Sequence, residues 1–552
     1  MNFELQLHQN FKQHKKMETT IDELAAIWHC SPRYAKTQMK LLHERQLVEW
    51  ETKQGRGKKP FLTLLRAKTD VLLEVIETLW EKSKYDEAFK LIRDFELTMH
   101  PKIQQWLHVQ FGLQSIQNEH IFRQAMYDVT LCLDPLRALS RHDVHMIEQI
   151  HESLFAMDDD GNVHKNLLFH VQSKDFQHWQ FILKKGVLFH HMEELTVKDV
   201  IASLQAAAPF YSHYFQFEQL DATSLYEFHV TLQKPCALLP HFFASPRFAI
   251  LPANRNEGIG CGPFSIVINS ASQFKLQTFP YYFKERPWID GVEIVYTEPN
   301  QLAHLSPISY KPFSKSIPSQ QLIFQENGAE YLVLNGQTGP LNDEELRAAI
   351  WRLIQPDQFV NHKYGEQVAY GWTVGSEPFP IQSRNIEPIT CPPLTIGYQQ
   401  IREGASHERE AKIIQQQLAT FGIESTLQCI NFKEKQQNLA AQLDIFIGGV
   451  ALGENYLPSL LNTYLNEPQP ILSLLSQQDY EFVLQRLERI IEQPSDATRI
   501  SEIEQFLQQK YCLKFLTHRQ HSFYVREDTP FQHVQFDRNG RINYRKIFLS
   551  TD

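Results

Sequence analysis

Arg33, Lys36, Thr37 and Lys40 stand at a spacing that would put all four on one side of an α-helix, with Ala35, Met39 and Leu42 on the other. Such a helix is held by its apolar side and presents cations and a hydroxyl outward. Those groups can donate to guanine edges and to phosphates in a DNA major groove. Taken alone, the same face also reads as an ordinary solvated surface. A second cationic cluster follows in KQGRGKKP, Lys53–Pro60, where Arg56, Lys58 and Lys59 surround two glycines. At the tip of a β-hairpin these residues would reach phosphates or the adjacent minor groove.

Other residues that could do chemistry form no recognisable constellation. The seven cysteines, Cys30, Cys132, Cys236, Cys261, Cys391, Cys429 and Cys512, are scattered and lack the paired short spacing of zinc or redox sites. His142 with His145, and His190 with His191, have no partner pair and no HExxH glutamate, so they read as ordinary histidines. Neither a phosphate loop of the GxxxxGK type nor a GxSxG elbow occurs. GIGCGPF at Gly258–Phe264 has glycines at suggestive spacing, but Pro263 and Phe264 stop a helix from starting as a dinucleotide site requires. Asp158–Asp160 sit in a turn and read as solvated. An enzyme is the least favoured class, and neither a cofactor nor a metal is expected.

The elements that must position the cationic residues are well signalled. Phe3, Leu7 and Phe11 recur every four residues, which predicts a first helix from about Phe3 to Lys16. Thr20 and Glu23 form a capping box ahead of a second, Ile21–Trp28. Ser31 as N-cap and Pro32 at the first helical position open a third, running to about Arg45. Leu47–Thr52 and Phe61–Leu65 are rich in strand formers on either side of the basic turn. Three helices and a basic hairpin make a winged helix-turn-helix. From about Asp70 to Gln110 the pattern stays helical, and Val71, Val75, Ile76 and Leu79 form an apolar stripe expected to pack on the head, the body or a second subunit.

Of the 552 residues, 42% are apolar and 21% charged, the composition of a folded multidomain protein. Net charge is −10, and up to Arg66 there are twelve Lys or Arg against seven Asp or Glu, so a head of +5 leaves −15 for the remainder. A basic head on an acidic body points to a polyanion partner for the head alone. The N-terminal stretch lacks the pattern of a secretory signal, and no apolar run approaches the ~20 residues that span a bilayer, so a cytoplasmic protein without membrane contact is expected.

From about Ser115 short β-rich runs alternate with helical stretches, an α/β pattern. Its landmarks are LDP at Leu133, IHESLF at Ile150, DDDGNV at Asp158, the run from Trp179 to Leu204, GIGCGPF at Gly258 and WIDGVEIVY at Trp288. Glu330–Val360, LTIGY at Leu394, FGIE at Phe421 and LDIFIGG at Leu443 follow in order. This series resembles the oligopeptide and nickel class of bacterial extracellular solute-binding proteins. With the head in front, including CSPRYAKTQMKLLHERQLVEWETKQGRGKKPFLTLL from Cys30 to Leu65, the chain resembles the SgrR family of transcriptional regulators. The resemblance implies a receptor fold of the two-lobed, type II periplasmic-binding kind reused as a ligand sensor, with sugar-phosphate accumulation as the family's best-known stimulus.

The expected organisation is a DNA-binding winged helix at 1–66, a helical connector at 67–112 and a ligand-sensing body at 113–552, its second lobe at about 340–505. Double-stranded DNA and a small molecule are the partners, with RNA polymerase a further candidate. Where the class's peptide receptors place an aspartate after a glycine-tryptophan pair, this chain reads GGVALGENY at Gly448–Tyr456. That departure disfavours peptides unless Glu454 takes the role, and it makes Glu454 and Tyr456 candidate ligand contacts. Trp372 lies where the class brings a loop to the cleft, so it is either a stacking platform or a core or hinge residue. A transport-type receptor with a protein-binding head is the competing reading.

Overall fold

The computed structural model describes residues 3–52, 58–97, 100–116, 118–127, 131–138, 140–158, 161–297, 308–309, 312–313, 318–361, 365–380, 390–402, 405–431, 439–452, 456–465, 470–493, 498–527, 531–532, 535–537 and 541–549. Arg56 and Glu454 lie outside the described residues.

The head is built as its caps dictate. Helix α1 (Phe3–Asn10) is followed by the short strand β1 (Met17–Glu18), α2 (Ile21–Ile27), α3 (Pro32–Glu44) and the strands β2 (Val48–Glu51) and β3 (Phe61–Leu64). β3 runs between β1 and β2, antiparallel to both. α1 stops six residues before the expected Lys16, because the chain turns through a left-handed His14 (φ 53°) to lay Gln13 beside Leu64. Leu7, Leu24, Trp28, Ala35, Met39 and Leu62 close the small core, and the Trp28 indole N–H donates to the Phe3 carbonyl at 3.0 Å.

Three connector helices follow, α4 (Lys68–Glu81), α5 (Tyr85–Asp94) and α6 (Pro101–Gln110). Trp80 is their hub, edge-to-face with Tyr85, Phe89, Trp106 and Phe111 at centroid distances of 4.7 to 5.7 Å. Of the apolar stripe, Val71 and Ile76 are buried, and Val75 and Leu79 half-buried. The same cluster takes in Leu5 of the head and Ala125 and Val295 of the body, so the connector packs on both.

The body divides into two lobes. In the first, β4 (Gly112–Ile116) and β5 (Glu119–Tyr127) join a five-stranded sheet in which Gly291–Thr297 runs parallel to β5. A four-stranded antiparallel sheet around His178–Leu183 and Glu227–Leu232 completes that lobe. The second lobe centres on Gly328–Leu334, flanked by Ile445–Ala451 and Leu513–His518, with Leu394–Arg402 and Ser425–Asn431 beyond. Its sheet therefore starts before, and ends after, the expected 340–505. The lobes are joined by Ser319–Gln325 paired along its length with Gln520–Arg526.

The glycines of GIGCGPF serve packing. A Cβ on Gly260 would lie 2.0 Å from the Ile150 carbonyl oxygen, so only glycine passes there. His190 fixes that turn, accepting from the Gly260 N–H at 3.2 Å and donating to the Gly262 carbonyl at 3.1 Å. Among the described residues no helix is long and apolar enough to cross a membrane, and no group of His, Cys, Asp and Glu has the arrangement of a metal site.

Candidate DNA interface and ligand cleft

In the head, α3 is set by Ser31, whose Oγ accepts from the Tyr34 N–H at 3.3 Å, with Pro32 in the first turn. Arg33, Lys36, Thr37 and Lys40 are all exposed, opposite the buried Ala35 and Met39. The structure thus brings the four predicted residues of this helix onto one outer face. Thr37 Oγ1 donates to the Arg33 carbonyl at 3.1 Å, which leaves its lone pairs outward. Lys40 lies 3.6 Å from Glu44, a surface pair of little energetic weight. Arg33 and Lys36 make no ion pair with any described residue.

Lys58 and Lys59, at the described foot of the wing, differ. Lys58 is exposed without an ion-pair partner among the described residues. Lys59 Nζ sits 2.7 Å from Glu23 Oε1. Glu23 is also the capping-box residue of α2, accepting from the Thr20 N–H at 2.9 Å. The Lys59 hydrogen bond, then those of Thr19 and Thr20, draw its carboxyl down to about 2. Lys59 therefore clips the wing to the start of α2.

The connector is tied at both ends by charge. Arg66 spans the buried Glu4 of α1 at 3.4 Å and Glu74 of α4 at 2.7 Å. At the body end, buried Glu293 on the strand Gly291–Thr297 accepts from the Tyr85 hydroxyl of α5 at 2.6 Å and from Arg123 Nε of β5 at 2.6 Å. Arg123 also donates to the Gln110 carbonyl at the end of α6 at 3.2 Å. That strand is the last described element of the first lobe ahead of the second, so the connector grips the end of the first lobe nearest the second along the chain.

Two adjoining cavities of about 440 and 430 Å³ open between the lobes and share Val144, Ile147, Ser245, Pro246 and Ser459 in their walls. The lobes meet beside them, where the Ala237 N–H donates to the Ile491 carbonyl at 2.9 Å and Tyr214 reaches Asn462 at 3.5 Å. The first cavity has a charged floor. Buried Glu152 receives Arg545 at 3.0 Å, Tyr282 at 2.5 Å, Asn166 at 2.5 Å and Lys284 at 3.4 Å. Burial alone would raise its carboxyl, but Arg545 and then Lys284 outweigh that and hold it below its ordinary value. Asp537 pairs with His145 at 2.8 Å, which gives that histidine a structural partner.

The second cavity is walled on one side by Phe210, Tyr211 and Arg247, and on the other by Gly449–Ala451 and the helix Tyr456–Leu465 through Pro458, Ser459, Asn462 and Thr463. The departing stretch GGVALGENY thus does reach the cleft, through Gly449, Val450 and Ala451. Tyr456 starts the helix but is half-buried outside the described lining, its hydroxyl raised by burial and then by Glu504. Trp372 is a correction to the stacking-platform expectation. It is fully buried, donates its indole N–H to the Tyr464 hydroxyl at 2.9 Å, and is packed edge-to-face by Tyr331 and Phe515 at 5.2 and 4.9 Å. Its ring has no face left for a ligand, and it serves as a pillar of the second lobe's core.

Arg247, Phe210 and Ser245 escaped the sequence reading. A signal was present: Ser245-Pro246-Arg247 repeats the Ser31-Pro32-Arg33 that opens α3, a capping serine, a proline at the first turn and an arginine held outward.

Known proteins repeat this division. Residues 2–114 match the family model described as sugar transport-related sRNA regulator N-term, and residues 162–393 match that of bacterial extracellular solute-binding proteins, family 5 middle. An uncharacterized protein of Bacillus subtilis, YhjP, is 26% identical over 97% of this chain and 96% of its own. The HTH-type transcriptional regulator SgrR of Escherichia coli K12 is 28% identical over 76% of this chain and 77% of its own. Among solved structures, NikA from Brucella suis in complex with Fe(III)-EDTA superposes with a TM-score of 0.64 at 14% identity, over 78% of this chain and all of that one. HbpA2 from Haemophilus parasuis does so with 0.64 at 16%, over the same shares. These two likenesses establish the body's fold as that of a type II periplasmic binding protein.

Proposed function

The chain belongs to the SgrR family of bacterial transcriptional regulators, and from that premise we propose that it is a cytoplasmic, ligand-responsive DNA-binding regulator. In this reading α3 enters the major groove, where Arg33, Lys36, Thr37 and Lys40 meet bases and phosphates, and the wing with Arg56, Lys58 and Lys59 follows the backbone. The body at 113–552 closes on a small metabolite, and the connector at 67–112 carries closure to the head. A sugar phosphate is the favoured stimulus, and RNA polymerase is a further partner through which the regulator acts.

One observation carries the reading: an exposed cationic helix of a winged head is tied, by buried charge at both ends of its connector, to the strand that leads out of the first lobe of a binding fold. A transport receptor has no use for that linkage. The test is selection of duplex sequences by the full chain from a random pool, followed by titration of the selected duplex across salt concentrations. We expect a preference for the selected over a scrambled duplex and an affinity that falls steeply with salt. Equal, weak binding to both would return the head to a protein-interaction role.

A further inference from the structure

We propose that Tyr34 and Leu41 of α3 read the methyl groups of two thymines, and so set A·T pairs in the duplex that this chain selects. The assignment rests on the DNA-binding reading above and adds to it the bases that the helix distinguishes.

Among its described residues the head exposes three large apolar side chains, Tyr34 (46%), Leu41 (39%) and Leu65 (39%), and two of them stand on the cationic helix. Neither belongs to the apolar cluster that closes the head, which takes Ala35 and Met39 from the other side of α3. Positions 34 and 41 are two turns apart, so they fall in one line along the helix. That line borders the outer face that holds Arg33, Thr37 and Lys40, with Lys36 on its far edge.

Those neighbours decide the partner. A surface of that charge meets a polyanion, and in its major groove a duplex offers apolar groups only as the 5-methyls of thymine. Reading adenine instead takes the amide of an asparagine or a glutamine. α3 has no asparagine, and its one glutamine, Gln38, is half-buried toward the Ala35 side. Arginine and lysine bond guanine, so the helix is left with apolar contact as its means of telling an A·T pair. At about 1.5 Å of rise per residue the two side chains start roughly 10 Å apart along the axis, the height of about three base pairs.

Both residues are held in place. The Tyr34 N–H donates to Ser31 Oγ at 3.3 Å, and its ring meets Phe3 of α1 edge-to-face at 5.9 Å. The Leu41 carbonyl accepts from the Arg45 N–H at 3.0 Å, so the helix continues past it. Fixed backbone at both positions limits the entropy lost on binding.

The experiment uses the full chain and the duplex that it selects from a random pool. Each thymine of that duplex is replaced in turn by deoxyuridine, which removes the 5-methyl and nothing else. Affinity is measured for the unsubstituted chain, Leu41→Ala, Tyr34→Ala and Tyr34→Phe, each first checked for an unchanged melting temperature. The scan with the unsubstituted chain needs no change in the protein. We expect deoxyuridine to weaken binding about 4-fold at two or more positions, the worth of one buried methyl-sized group. Leu41→Ala should abolish the effect at one of them and Tyr34→Ala at another, while Tyr34→Phe, which keeps the ring, retains it. Deoxyuridine without effect at every position, or effects of unchanged size in both alanine variants, overturns the thymine assignment and leaves DNA binding standing. An effect abolished by one alanine variant alone overturns the assignment of the other residue. No preference for any duplex of the pool overturns the DNA-binding reading as well.

Discussion

Ser-Pro-Arg occurs once in the head, at 31–33, and once in the body, at 245–247, and the two copies are locally alike. Each serine caps a turn, each proline sits in its first turn, and each arginine makes no ion pair with a described residue. Around them the molecule diverges. Arg33 stands on a 13-residue helix facing solvent, which leaves room for a partner as large as a DNA groove. Arg247 stands on a three-residue turn inside a cleft, where the partner must be small. Local sequence sets which way an arginine points, and tertiary structure sets what it can meet. The same contrast holds between other pairs of residues: Lys36 and Lys58 of the head are exposed without an ion pair to a described residue, while Glu152 and Glu293 of the first lobe are buried and matched by Arg545 and Arg123.

The largest effect should come from unmatching a buried charge. Glu293→Ala strips Arg123 and Tyr85 of their common acceptor, and breaking such a pair costs about 3 to 5 kcal/mol, read as a lower melting temperature and faster proteolysis of the connector. A loss below 1 kcal/mol would mean that the junction is wet and that the contrast with the head fails. Next is the head itself, where Arg33→Ala with Lys36→Ala should leave stability within about 0.5 kcal/mol. The same double change should cost roughly 1 to 3 kcal/mol per lost base contact on the selected duplex. Equal losses on selected and scrambled DNA would reassign both residues to phosphates.

The wing gives a finer test. Lys58→Ala should reduce the salt slope of DNA binding by about 0.9, one phosphate contact. Lys59→Ala should reduce it less, because Lys59 must leave Glu23 to reach DNA. Equal reductions would show that the Glu23 clip opens on DNA.

Protons provide the mildest test, and they act on buried groups. Burial lowers His190 to about 4 and His151 to about 3 in the first lobe, so the folded form holds fewer protons than the unfolded. That stability is complete above pH 6.5 and is lost as pH falls toward 4. Burial raises Glu504 in the second lobe to about 7. Its contribution has the opposite sign, complete below pH 4.5 and lost as pH rises through 7. Between pH 6.5 and 5.5 protection from hydrogen exchange, corrected for the intrinsic rate, should therefore fall around Gly260–Gly262 and rise in the helix Thr498–Gln509, by about 1 kcal/mol per group. Parallel changes in both places would show that these groups do not control local stability.

The head was legible because its signals are local: Thr20 with Glu23, Ser31 with Pro32, and a helical spacing from Arg33 to Lys40 all lie within a turn or two of what they specify. α1 was drawn too long because its end is set by the long-range pairing of Gln13 with Leu64. The body's α/β character and order of landmarks were readable, but its site was not. For Trp372 the sequence leaves a stacking platform and a core or hinge residue both open, and only its neighbours Tyr331, Tyr464 and Phe515, from distant segments, place it in the core. Arg247 went unnoticed because its place in a cavity wall exists only where residues 245–247 face Gly449–Ala451 and Pro458–Thr463 across the lobes.

The central claim is that cleft and DNA face are energetically one system, joined through Glu293. The direct measurement is the affinity of the full chain for its selected duplex, by fluorescence anisotropy at fixed salt, with and without a hexose 6-phosphate as the probe, repeated in Glu293→Gln. The account predicts a change of about 5- to 150-fold on loading, matched by an equal change in probe affinity when DNA is saturating, and a much smaller one in the variant. Identical duplex affinities in the loaded and empty unsubstituted chain would contradict it.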